Sequence, residues 1–150
     1  MNTIAAKLEM MVEKYLSQLN ALSDDEFIYK PSPEKWSKKE IIGHLIDSAQ
    51  NNIRRFIVAQ YELNPAIAYN QDEWVAINDY QHQSLEQLIQ LWYLINKQIV
   101  TVLKNTSNEM AQRTCDAGQI QTIEWLASDY IKHLTHHLHQ VLNLKPVAYP

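Results

Sequence analysis

The sequence contains few of the residue types that build disulfide-rich or turn-rich folds. Its 150 residues include one cysteine, two glycines and five prolines. A single cysteine, Cys115, excludes an internal disulfide and indicates a reducing compartment, so we expect a cytoplasmic protein. The scarcity of glycine and proline argues against a fold that is rich in loops or β-turns.

Long apolar runs and an excess of positive charge are also missing. No apolar stretch approaches the roughly 20 residues that a membrane-spanning helix needs. The net charge of −4 at pH 7 argues against a broad surface for nucleic acid or for an acidic membrane. Hydrophobic residues make up 46% of the chain, which is enough for a core. We therefore expect residues 1–150 to form one domain without nucleic-acid or membrane partners.

Four segments place their apolar residues at helical spacing. The first is Thr3–Asn20. The second begins at Ser37, which is followed by Glu40 in a capping-box pattern, and the third begins at Ser84 with the same pattern. The last is Thr122–Asn143. These segments predict an all-α four-helix bundle, with up-down-up-down as the favoured but not forced order of directions.

The segments between the predicted helices show no sustained periodicity in the spacing of their apolar residues. Residues 23–33, 63–83 and 105–121 are polar or interrupted by proline and glycine, so we expect irregular connections there. A connection as long as residues 63–83 is usually functional or partly structured in a compact domain. Its side chains Tyr69 and Trp74 could cover the open end of the bundle.

The last helix carries four of the six histidines, and their spacing predicts a metal site. At about 100° per residue, His133 and His137 point toward the core side, whereas His136 and His139 point toward solvent. An i, i+4 pair of histidines is the spacing by which two imidazoles on one helix meet one metal ion.

A catalytic metal needs a further ligand from elsewhere, because such sites use about three protein ligands and keep one position open. The candidates are His44, His82, Asp47 and Asp129. His44 lies roughly 150° from the centre of the apolar stripe of its own helix, so periodicity does not place it in the core. The residues by themselves leave the choice open.

Three stretches of the chain carry a family resemblance: WSKKEIIGHLIDSAQNNIRRF, YNQDEWVAINDY and WLASDYIKHLTHHLHQV. Together they resemble the DinB-like superfamily of small four-helix metalloproteins, and the likeness covers nearly the whole chain. The resemblance implies that His44, His133 and His137 bind one divalent metal, usually zinc or nickel. Some members resemble transferases that join a low-molecular-weight thiol to an electrophile, so the resemblance favours that reaction.

These observations define the expected function. We expect the metal to activate a thiol or water for attack on a small molecule, with Asp47 or Tyr130 moving a proton or orienting the substrate. A metal-dependent hydrolase and a non-catalytic metal-binding bundle are the alternatives. The adjacent residues Arg54 and Arg55 could bind an anionic substrate, although a solvated helix face is the default for such a pair.

The last expectation concerns the oligomeric state of the protein. Apolar side chains outside the main stripes, such as Ile57 and Tyr93, together with the family resemblance, favour a homodimer formed through helix faces.

Overall fold

The computed structural model describes residues 1–149, and Pro150, the last residue of the segment that follows the last predicted helix, lies outside the described residues. Its elements in chain order are α1 (Asn2–Leu19), α2 (Asp24–Ile28), α3 (Lys38–Val58), α4 (Gln71–Asn78), a 3₁₀ turn (Tyr80–His82), α5 (Leu85–Asn105), α6 (Asn108–Ala111), β1 (Thr114–Asp116), β2 (Ile120–Thr122) and α7 (Ile123–Val141). None of the helices within residues 1–149 has both the length and the apolar character that crossing a membrane requires.

The four long helices α1, α3, α5 and α7 form a bundle and begin close to where the sequence predicts. Ser37 caps α3 in a complete capping box, because its hydroxyl accepts the backbone N–H of Glu40 and the Glu40 carboxylate accepts the backbone N–H of Ser37. Ser84 and Thr122 cap α5 and α7 by accepting backbone N–H groups three residues ahead. These caps satisfy donors that the first turn of a helix leaves unpaired.

Contacts between side chains fix the direction of α1 relative to its two neighbours. Glu9 pairs with Lys104 and Glu13 accepts from Tyr93, so α1 and α5 run antiparallel. Met11 of α1 contacts Thr135 of α7, and Tyr15, one turn later on α1, is hydrogen-bonded to His139, one turn later on α7. Helices α1 and α7 therefore run parallel.

Helix α3 packs between α5 and α7 and completes an up-down-down-up order. It runs antiparallel to α7, since His44 meets His133 and Phe56 meets Tyr130. It runs parallel to α5, because Gln60 just beyond its end bonds to Thr106 just beyond the end of α5. The four-helix bundle is confirmed, but the favoured up-down-up-down order is wrong. The long connection from residue 59 to residue 84 returns the chain along the bundle, which lets α5 repeat the direction of α3.

The three connections are ordered, which differs from the irregular segments expected from the sequence. They contain α2, α4 with the 3₁₀ turn, and α6 with an antiparallel hairpin in which Cys115 pairs with Gln121. Helix α4 and the 3₁₀ turn cover the side of α3 that faces away from the bundle, and the Tyr80 ring lies directly against Gly43. As a result α3 is buried on nearly all sides.

Candidate metal centre

Two antiparallel helices bring the three predicted histidines together. His44 lies in the second turn of α3, whereas His133 and His137 lie one turn apart on α7. Because α3 and α7 run in opposite directions, the start of one faces the end of the other. His44 is 1% exposed, since the connections cover its side of α3, which periodicity within α3 could not reveal.

The ring nitrogens of these histidines converge on one point. The Nε2 atoms of His44 and His133 are 3.0 Å apart, and one ring nitrogen from each of the three residues lies within 4.8 Å of the others. Two nitrogens bound to one tetrahedral zinc at about 2.0–2.1 Å are themselves roughly 3.3 Å apart. The three imidazoles therefore have the spacing of ligands on one face of a divalent-metal site.

The Nδ1 atoms on the far side of the rings support this assignment. The Nδ1 of His133 lies 3.4 Å from the Ser48 hydroxyl, and the Nδ1 of His137 lies 3.2 Å from the side-chain oxygen of Gln140. Such contacts orient a ligand imidazole and leave its Nε2 lone pair for a metal. The Nδ1 of His44 is buried and has no hydrogen-bond partner within residues 1–149.

The surroundings keep these imidazoles neutral. Burial, together with the smaller effect of the neighbouring histidines, lowers the pKa of His44 to about 3 and that of His133 to about 2. Burial also lowers the pKa of His137. Only the neutral ring offers a lone pair to a metal, so the site favours the ligand form at neutral pH.

Two cavities meet at His137. The larger has a volume of about 650 Å³ and extends from the histidines between α3, α7 and the β-hairpin. Its polar lining includes Ser48, Asn52, Arg55, Tyr69, Gln71, Gln121, Asp129, His133 and Tyr149. The smaller, of about 420 Å³, lies beside Trp36 and Gln140. The candidate site is therefore accessible to small molecules from two sides.

The two residues predicted to assist catalysis have protein partners. The Tyr130 hydroxyl is buried and donates to the side-chain oxygen of Asn96 at 2.7 Å. The buried carboxylate of Asp47 accepts from the Tyr80 hydroxyl and, at 3.4 Å, from Asn78. These contacts give Asp47 and Tyr130 a positioning role in the fold, and their part in catalysis stays a prediction.

The other candidate ligands lie outside the histidine cluster. His82 is exposed and bonds to Asp79 at 2.7 Å. Asp129 lines the larger cavity, where its carboxylate accepts the hydroxyl of Tyr149 at 2.7 Å. Neither residue belongs to the cluster of ligand atoms formed by the three histidines.

The prediction that His136 and His139 face solvent is wrong, because the C-terminal segment packs against them. The Nδ1 of His136 lies 2.6 Å from the carbonyl of Val147, and the Nδ1 of His139 lies 2.7 Å from the carbonyl of Lys145. Both rings are half-buried. Through these contacts the segment brings the Tyr149 ring to 5.2 Å from the His133 ring, centroid to centroid.

Several residues of the site escape a search for apolar periodicity. On α3, His44, Ser48, Asn52 and Arg55 form a buried polar stripe at the i, i+4, i+8 and i+11 positions. At about 100° per residue these four side chains span only about 80° of the helix circumference. This spacing is the sequence signal that could have identified the residues of α3 that lie along the site.

Comparison with known proteins identifies the family of this chain. A family model described as the DinB superfamily matches residues 7–141. A relative from Halalkalibacterium halodurans, named "Putative metal-dependent hydrolase BH0277", is 31% identical over 106 residues, which cover 69% of this chain. The matched segment spans 61% of the length of that relative. The chain thus shares a family with proteins named for dependence on a metal.

Solved structures share the fold at low sequence identity. YfiT from Bacillus subtilis, described as a probable metal-dependent hydrolase with an unusual four-helix bundle topology, gives a TM-score of 0.74 at 19% identity, covering 95% of this chain and 87% of its own. The mycothiol-dependent maleylpyruvate isomerase gives 0.71 at 17% identity, covering 97% of this chain and 61% of its own. At this identity the likeness establishes the fold alone.

Proposed function

The chain belongs to the DinB superfamily, and we propose that it is a divalent-metal-dependent enzyme whose ion is held by His44, His133 and His137. The observation that carries the proposal is the convergence of three neutral imidazoles at the edge of a polar cavity. Three protein ligands leave a coordination position for a small molecule, which is the arrangement of catalytic rather than structural sites. Zinc and nickel are the proposed ions, since imidazole suits both.

The proposed reaction is the transfer of a low-molecular-weight thiol to a small electrophile. When bound, a divalent ion supplies a Lewis acid that lowers the pKa of the attacking thiol or water. The chain then needs no nucleophile of its own. This agrees with the state of Cys115, whose thiol is buried, donates to the carbonyl of Pro65 and has a pKa raised by burial.

The two cavities that meet at His137 favour transfer, because a transferase must bring two reactants to one point. Ser48 and Gln140 hold the rings of His133 and His137 at that point through their Nδ1 atoms. The likeness to an isomerase named for its dependence on mycothiol agrees with a thiol reactant.

Hydrolysis is the second candidate, and the name of the Halalkalibacterium relative favours it. The same three histidines would serve it, with water in place of the thiol. The two reactions differ in whether turnover needs an added thiol.

The test supplies metal-loaded protein with a panel of cellular thiols and 1-chloro-2,4-dinitrobenzene. We expect metal-dependent conjugation that is lost in His44→Ala and retained in His82→Ala, since the exposed His82 lies outside the cluster. Metal-dependent hydrolysis of ester or amide substrates without thiol would move the assignment to a hydrolase. Absence of both activities, together with a closed coordination sphere, would indicate a non-catalytic metal protein.

We also propose that the chain acts as a homodimer in the cytoplasm. The outer faces of the helices carry exposed apolar side chains, with Ile57 41% and Leu94 57% exposed. Tyr93 is engaged within the chain, since its hydroxyl donates to Glu13. Light scattering at micromolar concentration should give twice the monomer mass of 17.5 kDa, and Leu94→Glu should shift it toward the monomer. The monomer mass throughout would refute the dimer.

A further inference from the structure

The wall of the larger cavity contains a buried arginine, Arg55. Arg55 is 8% exposed, whereas the neighbouring Arg54 is exposed to solvent. The Nε of Arg55 donates to the carbonyl of Ile67 at 2.9 Å, and Nη1 donates to the side-chain oxygen of Asn52 at 3.3 Å. The default expectation of a solvated arginine pair is therefore wrong for Arg55.

No carboxylate within residues 1–149 lies within salt-bridge distance of this guanidinium. The contrast with the half-buried Lys97 and the exposed Lys104 is clear, because both of these cations pair with Glu9. Burial lowers the pKa of Arg55, but a guanidinium stays protonated at neutral pH because its ordinary pKa is so high. A buried cation without an anionic partner is costly, and binding an anion would offset that cost.

The Arg55 guanidinium also has N–H donors that make no hydrogen bond to residues 1–149. Nε and one N–H of Nη1 are used by the protein, and Nη2 makes no hydrogen bond within residues 1–149. Arg55 lines the cavity, and the ring of Tyr69, another lining residue, lies 5.9 Å from its guanidinium carbon. Within residues 1–149, the lining contains one carboxylate, that of Asp129, which accepts the Tyr149 hydroxyl.

The polar stripe on α3 connects this cation to the histidines. His44 and Arg55 are 11 residues apart, which is about three turns and roughly 16 Å along the helix axis. Ser48 and Asn52 lie between them on the same side and also line the cavity. A small molecule could therefore place one end at the histidines and another at Arg55.

We propose that Arg55 anchors an oxyanion, a carboxylate or phosphate group, on the small molecule that this site binds. The planar fork of an arginine matches both groups with two parallel hydrogen bonds. The location of the reacting end rests on the proposed function. The oxyanion subsite rests on Arg55 itself and holds with or without a metal.

The experiment measures binding of succinate and inorganic phosphate by titration calorimetry, with uncharged succinamide as the matched neutral probe. We expect at least one anion to bind wild-type protein, with affinity reduced roughly tenfold or more in Arg55→Met. Arg54→Met is the control and should bind as wild type does, since Arg54 faces solvent. The stronger of the two anions identifies the group as carboxylate or phosphate.

Metal-free and metal-loaded protein are titrated in parallel, which separates this inference from the proposed function. Anion binding that depends on Arg55 in the metal-free protein supports the subsite even if metal binding fails. Anion binding confined to the loaded protein and unchanged in Arg55→Met would assign the anion to the ion and overturn the proposal. Equal binding of succinamide and succinate would also overturn it.

A second measurement covers the case in which Arg55→Met does not fold. The chain has three arginines, Arg54, Arg55 and Arg113, so nitrogen–proton spectra of their Nε groups contain three resonances. Arg54→Lys and Arg113→Lys identify the Arg55 resonance by elimination. Anion added to wild-type protein should shift that resonance and leave the Arg54 resonance in place. A titration that shifts Arg54 as much as Arg55 would contradict a built subsite.

Discussion

The Nε2 atoms of His44 and His133 lie 3.0 Å apart although the residues are 89 positions apart in the sequence. Both rings are neutral at pH 7, because burial lowers their pKa values. Without a metal, one Nε2 must carry the proton that it donates to the other, so only one of these two atoms presents a lone pair. When both rings carry their proton on Nδ1, both Nε2 atoms present lone pairs. A divalent ion would accept both lone pairs together with that of His137, so the packing of α3 on α7 prepares the site before the ion arrives.

The first prediction concerns metal stoichiometry. Wild-type protein purified without a nickel column should bind one zinc or nickel per chain. His137→Ala should weaken binding at least about a hundredfold, because loss of a ligand exceeds the 10- to 100-fold effect of losing a contact to a ligand. Gln140→Ala, which removes only the partner of the His137 ring, should weaken it roughly tenfold. Competition against a chromophoric chelator measures all three.

His82→Ala is the matched control for this series, since it removes an exposed histidine that sequence analysis kept as a candidate ligand. Equal zinc affinity in wild type and His137→Ala would remove His137 from the site. Reduced affinity in His82→Ala would show that the effect of histidine loss is not specific to the cluster.

The second prediction concerns protons released when the metal binds. Three histidines of ordinary pKa near 6.5 would release about two protons at pH 6. Burial lowers the pKa of all three histidines, and that of His44 to about 3 and of His133 to about 2, so these two are already neutral at that pH and fewer than one proton should be released. Calorimetry in two buffers of different ionisation enthalpy counts these protons.

The same pKa shifts determine the acid stability of the metal-free protein. A histidine whose folded pKa is depressed contributes stability above its unfolded pKa of about 6.5, and this is lost as pH falls toward the folded value. The free energy of unfolding should therefore decrease as the pH falls from 6.5 to about 3. Release of two protons at pH 6, together with flat stability across this window, would show that the rings are hydrated and ordinary.

The predictable part of the fold is its local part. Apolar spacing and the caps at Ser37, Ser84 and Thr122 indicate the four long helices, because both signals depend on neighbouring residues. The direction of α5 depends on how a long connection crosses the bundle, which no local pattern records. The short strands pair Cys115 with Gln121 and are too short to show a period of their own.

The candidate site also has one part that local sequence patterns predict and one part that depends on the whole fold. The pair His133 and His137 follows from spacing on one helix, whereas His44 follows from the family resemblance alone. Periodicity places His44 outside the apolar stripe of α3, yet the ring is buried because other elements cover that side. The burial of Arg55 has the same cause, since a charged residue beside Arg54 gives no local sign that the hairpin and the segment with Ile67 and Tyr69 enclose it.

The third prediction concerns Gly43, where the Tyr80 ring occupies the space that a Cβ atom would need. Alanine would normally stabilise a helix by up to about 1 kcal/mol relative to glycine. The clash should outweigh this gain, because extra atoms in a packed core cost about 1–3 kcal/mol. Gly43→Ala should therefore lower the free energy of unfolding, as measured by urea denaturation.

A double-mutant cycle tests the cause of that effect. In a Tyr80→Ala background the obstacle is gone, so Gly43→Ala should be neutral or stabilising. Equal destabilisation in both backgrounds would mean that the Tyr80 ring does not cause the effect.

The last prediction concerns Asp47, whose carboxylate is buried and has one oxygen without a hydrogen-bond partner within residues 1–149. Burial raises its pKa from 3.8 to about 6, against the opposing effect of the Tyr80 hydroxyl. The folded state therefore binds a proton more tightly than the unfolded state. The contribution of Asp47 to stability should fall as pH rises from about 4 to about 6, opposite in sign to that of the histidines, and the penalty should persist above that window.

Asparagine cannot ionise but can still accept the Tyr80 hydroxyl, so Asp47→Asn should remove this penalty. The variant should resemble wild type near pH 4 and exceed it in unfolding free energy at pH 7.5, by at most about 3 kcal/mol for a shift of roughly two pKa units. Asp79→Asn is the control, since its side chain is exposed. Urea denaturation at the two pH values measures the difference, and the histidine contribution cancels because both proteins share it. A variant less stable than wild type at pH 7.5 would show that the ionised carboxylate has a favourable partner, and it would return Asp47 to the candidates for proton transfer.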